Sequence, residues 1–534
     1  MKKILNLFIL TLAAVTVTSC KKYLDVNVNP NDPTTGTPDL VLPQSIVYAA
    51  AHTVNFNFYG SQTVGYLANG GGVSGWGAII SYNYATTDQT GLFNTSYDVA
   101  NDIQYVIDNT EGQAQFAQYN AAAKVMKAFV FQRLVDQYND VPYTESLKGG
   151  GNVTPKYDKA TDIYKSLADL CDAAITTFNA NPVATSQFKT SDPLFGSSSS
   201  TTVEINRWIQ FANTLKLRLI IRAGSKVAFS NKTFDSKGFL TDDAIVNPGY
   251  TRANGKQNPM WNSYAYSFAN AAQTAGAQYV PTPYIISFFN GQKISDPTRI
   301  NLYYKNGSAV NSGSFTNTLG SLLATAGRGQ TPNSWFKGTN ATTYDQAGIF
   351  KGPDAGQPIF LAADSYFLQA EAMLTGVISG DATTAFNNGI LASFTYLDKN
   401  AAGAVTGNVP GSATVARNPS AEVTAYKAAN PNSYLVNYEK ATTNAQRLEA
   451  IITQKYLALN FIIGDEAWNE YRRTGYPVNV NNGSSTESFT SVATESTAPD
   501  KLPTRLLYPN TEFSYNSANI PSVDKYTSKI FWAR

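Results

Sequence analysis

The stretch YNAAAKVMKAFVFQRLVDQYNDVPY, residues 119–143, restricts the fold more than any other part of the chain. Ala122, Met126, Phe129, Val130 and Leu134 recur at spacings of three and four, so they share one helix face that must be buried. The alanines beside them are small enough for a neighbouring helix to approach closely. Asn139 and Asp140 interrupt the pattern, and Pro142, which has no backbone N–H, ends it. The same periodicity returns at 37–54, 159–178, 204–223, 358–376 and 445–463. A short, fully punctuated helix follows in GDEAWNEYRRTGYP, where Asp465 can cap the start, Gly475 the end, and Pro477 stops the helix. The prediction is a mainly α protein of antiparallel helix pairs, without a repeat of fixed period.

Between these helices run long stretches rich in Gly, Ser, Asn and aromatic residues, at roughly 60–95, 183–202, 224–358, 395–440 and 478–534. Loops of such length in a folded chain usually carry function. A helical scaffold with an irregular binding surface is therefore expected.

The first residues read differently. MKKILNLFILTLAAVTVTSC has a basic start at Lys2 and Lys3, then an apolar run from Ile4 to Val17, too short to span a bilayer and placed like a signal peptide. The run ends in Val17-Thr18-Ser19-Cys20, which resembles a lipobox. Residues 1–19 are then a lipoprotein signal peptide, Cys20 is the lipid-bearing first mature residue, and residues 20–534 form a single domain. Two or three acyl chains on that terminus, palmitate among them, would anchor it stably where one would not. Without residues 1–19 the chain keeps 38 basic residues against 38 acidic ones, a neutral balance with no footprint for nucleic acid. Cys171 is left without a disulfide partner and falls in a helical pattern, where a lone cysteine is a small buried hydrophobe.

Several chemistries fail on inspection. His52 is the sole histidine, which removes any multi-imidazole zinc site, and its helical apolar setting reads as packing. GGGVSG at 70–75 has the glycine spacing of a dinucleotide loop but neither the strand before it nor the helix after it. DVNVNPNDPTTG begins like a calcium loop, yet Pro30 stands at the turn glycine and Gly36 at the bidentate glutamate. Glu466, Glu470, Arg472 and Arg473 read as helix-surface pairs, the arginines bound to carboxylates in buried or bidentate structural pairs. No catalytic residue, metal ligand or cofactor is assigned.

Set in order, the lipobox with KKYLDVNVNPNDPTTGTPDLVLP, then AAAKVMKAFVFQRLVDQYNDVPYTESL, RWIQFANTLKLRLIIRA, ADSYFLQAEAMLTG, LEAIITQKYLALNFIIGDEAWNEYRRTGYP and LPTRLLYPNTEFSYN, the chain resembles the SusD/RagB outer-membrane nutrient-binding lipoproteins. The resemblance implies four tetratricopeptide-like helix pairs with long ligand-facing loops. It implies a non-enzymatic role as capture subunit and lid of a SusC-like TonB-dependent transporter barrel, handing it oligosaccharide or peptide at the outer face of the outer membrane. Two other classes remain at this point: a lipid-anchored glycoside hydrolase, which needs two facing carboxylates, and a helical-repeat scaffold that binds protein alone.

A sugar is held by aromatic planes on its C–H face and by amides or charged groups at its hydroxyls. Trp208 and Trp468 sit in helical patterns and read as core, while Trp532 is too near the terminus to inform. The loop aromatics are Trp76 with Tyr82 and Tyr84, Trp261 with Tyr264, and Trp335 in PNSWFKG; these six are the ligand-binding candidates. Trp76 leads, with the expectation that Trp76→Ala weakens ligand retention and barely moves the melting temperature.

Overall fold

The computed structural model describes residues 36–70, 76–304, 316–322, 347–409 and 412–534. Residues 1–19, Cys20, the leader that follows, positions 71–75 of the glycine run and Trp335 lie outside them.

The mainly α expectation holds. Long helices α1 (Pro38–Thr63), α2 (Thr90–Thr110), α3 (Ala117–Tyr138), α4 (Ala160–Ala180) and α5 (Thr201–Ala223) each pack on the next. The series continues through α6 (Ala362–Leu374), α7 (Ala382–Asp398), α8 (Asn444–Leu459) and α9 (Gly464–Thr474), and α9 returns to pack on α1. Strands are short. Among the described residues they form three antiparallel ribbons: β1 (Leu67–Asn69) with β5 (Tyr279–Pro281), β2 (Val141–Pro142) with β3 (Tyr157–Asp158), and β4 (Ala244–Val246) with β6 (Gln357–Phe360).

The α3 stripe is buried as its spacing requires, but so are the polar residues of its C-terminal half, Gln132, Arg133, Asp136 and Gln137. Neighbours on several sides leave α3 almost no surface, so its polar residues must find partners inside. The contact of α9 with α1 is made by two glycines. A Cβ on Gly60 would lie 2.2 Å from the Asp465 nitrogen, and one on Gly464 would lie 2.3 Å from Ser61 Oγ. The Gly464 N–H donates to Asn57 Oδ1 at 2.8 Å, so Asn57 on α1 fills the capping role expected of Asp465. At the other end Gly475, at φ +83°, closes α9 as its sequence position suggested.

Asp465 instead pairs with Arg133 at 2.9 Å, at the edge of a buried ionic hub. Arg218 reaches Asp364 at 2.5 Å and Glu466 at 3.0 Å; Arg222 reaches Asp136 and Glu466, each at 2.5 Å, and Glu470 at 3.1 Å. Lys455 bridges Asp364 and Glu470, and Arg473 grips Glu371 with both nitrogens, at 2.6 and 2.7 Å. Trp532 adds an indole N–H to Asp136 at 2.9 Å, bringing the C-terminal segment into the same hub. The surface pairing expected for Glu466 and Glu470 is thus corrected: both are buried, because α9 is enclosed by α1 and α8. The bidentate arginine pairing expected of Arg473 is present, whereas Arg472 binds backbone and side-chain oxygens of Asp136, Gln137, Asn469 and Thr504. Burial alone would raise the Glu466 carboxyl, yet Arg218 and Arg222 hold it well below the usual carboxylate range. Cys171 is fully buried on α4, its thiol pushed up to about 12 by that burial.

Candidate functional site

The aromatic residues singled out in the loops divide into two groups. Trp76 precedes a short helix, Gly77–Ser81, and its ring meets Tyr279 edge-on, 4.9 Å between centroids at 87°. Tyr279 is held in place by β5, where it pairs with Asn69 of β1. Phe58 of α1 meets Tyr279 at 4.8 Å and Tyr264 at 5.7 Å, and Tyr264 meets Phe461 at 5.3 Å. Trp261 and Tyr264 share the helix Pro259–Tyr264, which starts because Asn258 accepts the Trp261 N–H and Pro259 takes the first helical position. A continuous band therefore runs from Trp76 through Tyr279, Phe58 and Tyr264 to Phe461. Its members are largely covered, with Trp76 6%, Tyr264 7% and Tyr279 8% exposed, Phe58 half-buried and Phe461 buried. Burial pushes the Tyr264 hydroxyl well above its ordinary value, so that hydroxyl remains a donor at any physiological pH.

Tyr82 and Tyr84 point the other way. Tyr82 takes the left-handed conformation, φ 58°, at the end of the short helix, and its fully buried hydroxyl accepts the Ser491 N–H at 3.2 Å. The buried Tyr84 ring meets Tyr59 of α1 at 6.0 Å. The segment around them is pinned from the C-terminal side. Ser491 Oγ donates to the Ile80 carbonyl at 2.5 Å, the Glu495 N–H to Ser81 at 2.8 Å, and Lys525 Nζ to the Tyr84 carbonyl at 2.9 Å. What this turn offers to solvent is polar: exposed Asn83, whose amide donates to exposed Glu495 at 2.6 Å. The sequence grouped Trp76, Tyr82 and Tyr84 by proximity along the chain. The structure instead brings Trp76 together with Tyr264 through Tyr279 and Phe58, two residues the sequence reading missed.

Openings near these rings differ in size. Beside Trp261, a cavity lined by Asn258, Phe350, Lys351, Gln357 and Phe461 measures about 30 Å³, room for a water and too small for a sugar ring. A groove between α1 and α2 measures about 560 Å³, and clefts of about 360 and 250 Å³ lie beside Tyr526 and Tyr366. Of the carboxyls raised by burial, Asp243, pushed up to about 6, lines the 250 Å³ cleft beside Asp242, and Asp102 lines the α1–α2 groove beside Asp98. Glu204 is pushed up to about 8 by burial and by Asp192, but it is 0% exposed and lines none of these openings. Among the described residues no group of three or more His, Cys, Asp or Glu is placed to hold a metal. His52 is a packing residue, as its context suggested, with its ring 4.9 Å from Phe56 and Nε2 3.1 Å from Ser96 Oγ.

Against this geometry, comparison with known proteins is direct. A SusD-like family model, described as starch-binding and associating with the outer membrane, matches residues 31–509. A SusD/RagB family protein from Bacteroides thetaiotaomicron superposes with a TM-score of 0.64 at 18% identity, covering 93% of this chain and 99% of that one. A SusD homologue from Bacteroides fragilis gives 0.63 at 18% identity, over 93% and 99%. A chitin-binding SusD homologue from Flavobacterium johnsoniae gives 0.61 at 20% identity, over 92% and 98%. At these identities the likeness to the solved structures is one of fold. Among the curated proteins none matches. With the family model spanning nearly all of its length and the helical architecture shared along the chain, this protein belongs to the SusD-like family.

Proposed function

We propose that the protein is a cell-surface capture subunit that binds glycan without cleaving it and serves as the lid of a SusC-like TonB-dependent transporter in the outer membrane. The observation that carries the reading is the family match over residues 31–509, whose description is of starch binding at the outer membrane. The chitin-binding relative of the same fold supports an oligosaccharide ligand over a peptide.

In this reading residues 1–19 are removed, Cys20 carries the lipid, and residues 20–534 act as one nutrient-binding domain. The scaffold suits a task of holding: helices locked by a charge-balanced buried hub present loop aromatics rigidly, which lowers the ordering cost of binding. The ligand meets the edge of the band formed by Trp76, Tyr279, Phe58 and Tyr264, with Trp261 beneath it. Tyr82 and Tyr84 hold the Trp76 segment in place. Trp335, outside the described residues, stays in the proposal on its sequence setting. The carboxyl pairs at the described openings, Asp98 with Asp102 on one helix and Asp242 with Asp243 consecutive in the chain, each come from a single wall, whereas glycoside hydrolysis requires two that face each other across the sugar.

The test is to incubate the purified protein with maltoheptaose and chitohexaose and follow both binding and reducing ends. Retention of one or both with no new reducing ends is expected. Release of shorter sugars would overturn the reading in favour of a hydrolase.

A further inference from the structure

From Gln44 to its C-terminal end α1 is buried on every side but one, and its exposed and half-exposed positions there, Gln44, Val47, Tyr48, Ala51, Asn55 and Phe58, share one face of the helix as a stripe. One end of that stripe, Phe58, belongs to the aromatic band against Tyr279 and Tyr264. The other end lines the 560 Å³ groove with α2, whose walls include Tyr48, Asn55, Thr95, Asp98, Asn101 and Asp102. That volume falls within the range of small-ligand clefts, about 300–1,000 Å³. Tyr48 and Phe58 are ten residues apart on the helix, about 15 Å along its axis.

The groove is equipped for hydroxyl groups. Tyr48 is 51% exposed, an aromatic surface with no covering neighbour of its size. Asn55 is held from beneath: Ser96 Oγ donates to the Leu92 carbonyl at 2.7 Å, so it accepts from His52 Nε2, and His52 Nδ1 accepts the Asn55 amide N–H at 3.3 Å. That leaves the Asn55 carbonyl and its second N–H for a ligand. Asp98 and Asp102 stand four residues apart on α2, no lysine or arginine lines the groove, and the imidazole that does, His52, is kept neutral by burial. Burial and the neighbouring Asp98 raise the Asp102 carboxyl, a tension that an incoming hydroxyl donor relieves.

We infer that the α1–α2 groove is a second subsite for an uncharged, hydroxyl-rich oligosaccharide, joined to the aromatic band by the exposed stripe of α1. The inference rests on the glycan-binding reading above and adds to it a direction and a charge preference. A long neutral glycan spans from band to groove, a short one fills the band alone, and a sulfated glycan is repelled by the two carboxylates.

Isothermal titration of the mature full-length protein with maltotriose, maltoheptaose, chitotriose, chitohexaose and a heparin hexasaccharide tests this. The long neutral sugars should bind more tightly than the trimers, and heparin should not bind. Tyr48→Ala and Asp98→Ala should each remove roughly 5- to 20-fold of the long-chain affinity, the scale of one lost stacking or hydroxyl contact, and leave the trimers unchanged. Both positions are exposed, so an unaltered melting temperature certifies the fold of each variant. Variants that bind long sugars as the wild type does, or that weaken trimers and long chains equally, would overturn the subsite while leaving the glycan-binding reading intact. A wild-type protein that binds no neutral sugar would overturn both.

Discussion

At Trp76 the environment decides what a substitution can report. The ring is packed against Tyr279 and is 6% exposed, so Trp76→Ala removes a large buried side chain. A loss of about 3–5 kcal/mol is expected, read as a clear fall in the melting temperature. This reverses the stability part of the expectation drawn from the sequence, where a loop tryptophan among glycines looked free. An unchanged melting temperature would mean that the ring is not part of the core. His52 gives a second residue-scale test. Burial, opposed by the Leu92 carbonyl and aided by Arg133, lowers its pKa to about 4. The unfolded chain therefore binds the proton near pH 6.5 while the folded one does not, and stability is lost as pH falls from 6.5 towards 4. Between pH 7 and 5 the wild type should lose about 2 kcal/mol more than His52→Gln in urea unfolding, and equal losses would contradict the buried neutral ring.

Helices were legible where their cores are apolar and small, as in α3, α4, α5 and α8. α2 was not, although Leu92, Phe93, Val99, Ala100, Ile103, Val106 and Ile107 form a clean buried stripe. Its exposed face is made of Asn, Asp, Thr and Gln, residues that compete for backbone hydrogen bonds and read as loop. α7 escaped for a related reason: Asn387, Asn388 and Gly389 interrupt it, and Gly389 is there because a Cβ would lie 2.6 Å from the Phe367 ring. The hub could not be read at all, since spacing shows which charges share a helix and not which helices enclose them. Its prediction is sharp. Glu466→Gln leaves Arg218 and Arg222 short of a buried partner and should cost about 3–5 kcal/mol at pH 7. Because the folded Glu466 pKa is depressed, its contribution is present above the ordinary glutamate range and fades as pH falls through and below it. The gap between wild type and Glu466→Gln should therefore narrow in acid; a gap constant from pH 7 to pH 3 would show that the charge does not matter.

Across the whole molecule, family and helical class were readable from ordered motifs spread along the chain, because the central ones are packed helices. The proposed ligand surface was readable only in composition. Trp76 and Tyr264 were named, but Tyr279 and Phe58, which join them, carry no local signal, and the α1 stripe shows itself only once three sides of the helix are known to be covered. A formally neutral mature chain has no charge with which to hold a membrane, so attachment falls to Cys20 and its lipid in this account. The most direct measurement is purification of the native protein from outer membranes in mild detergent, with mass spectrometry of whatever accompanies it. The account predicts a TonB-dependent β-barrel in comparable amount; recovery of the protein alone, with no barrel attached, would contradict it.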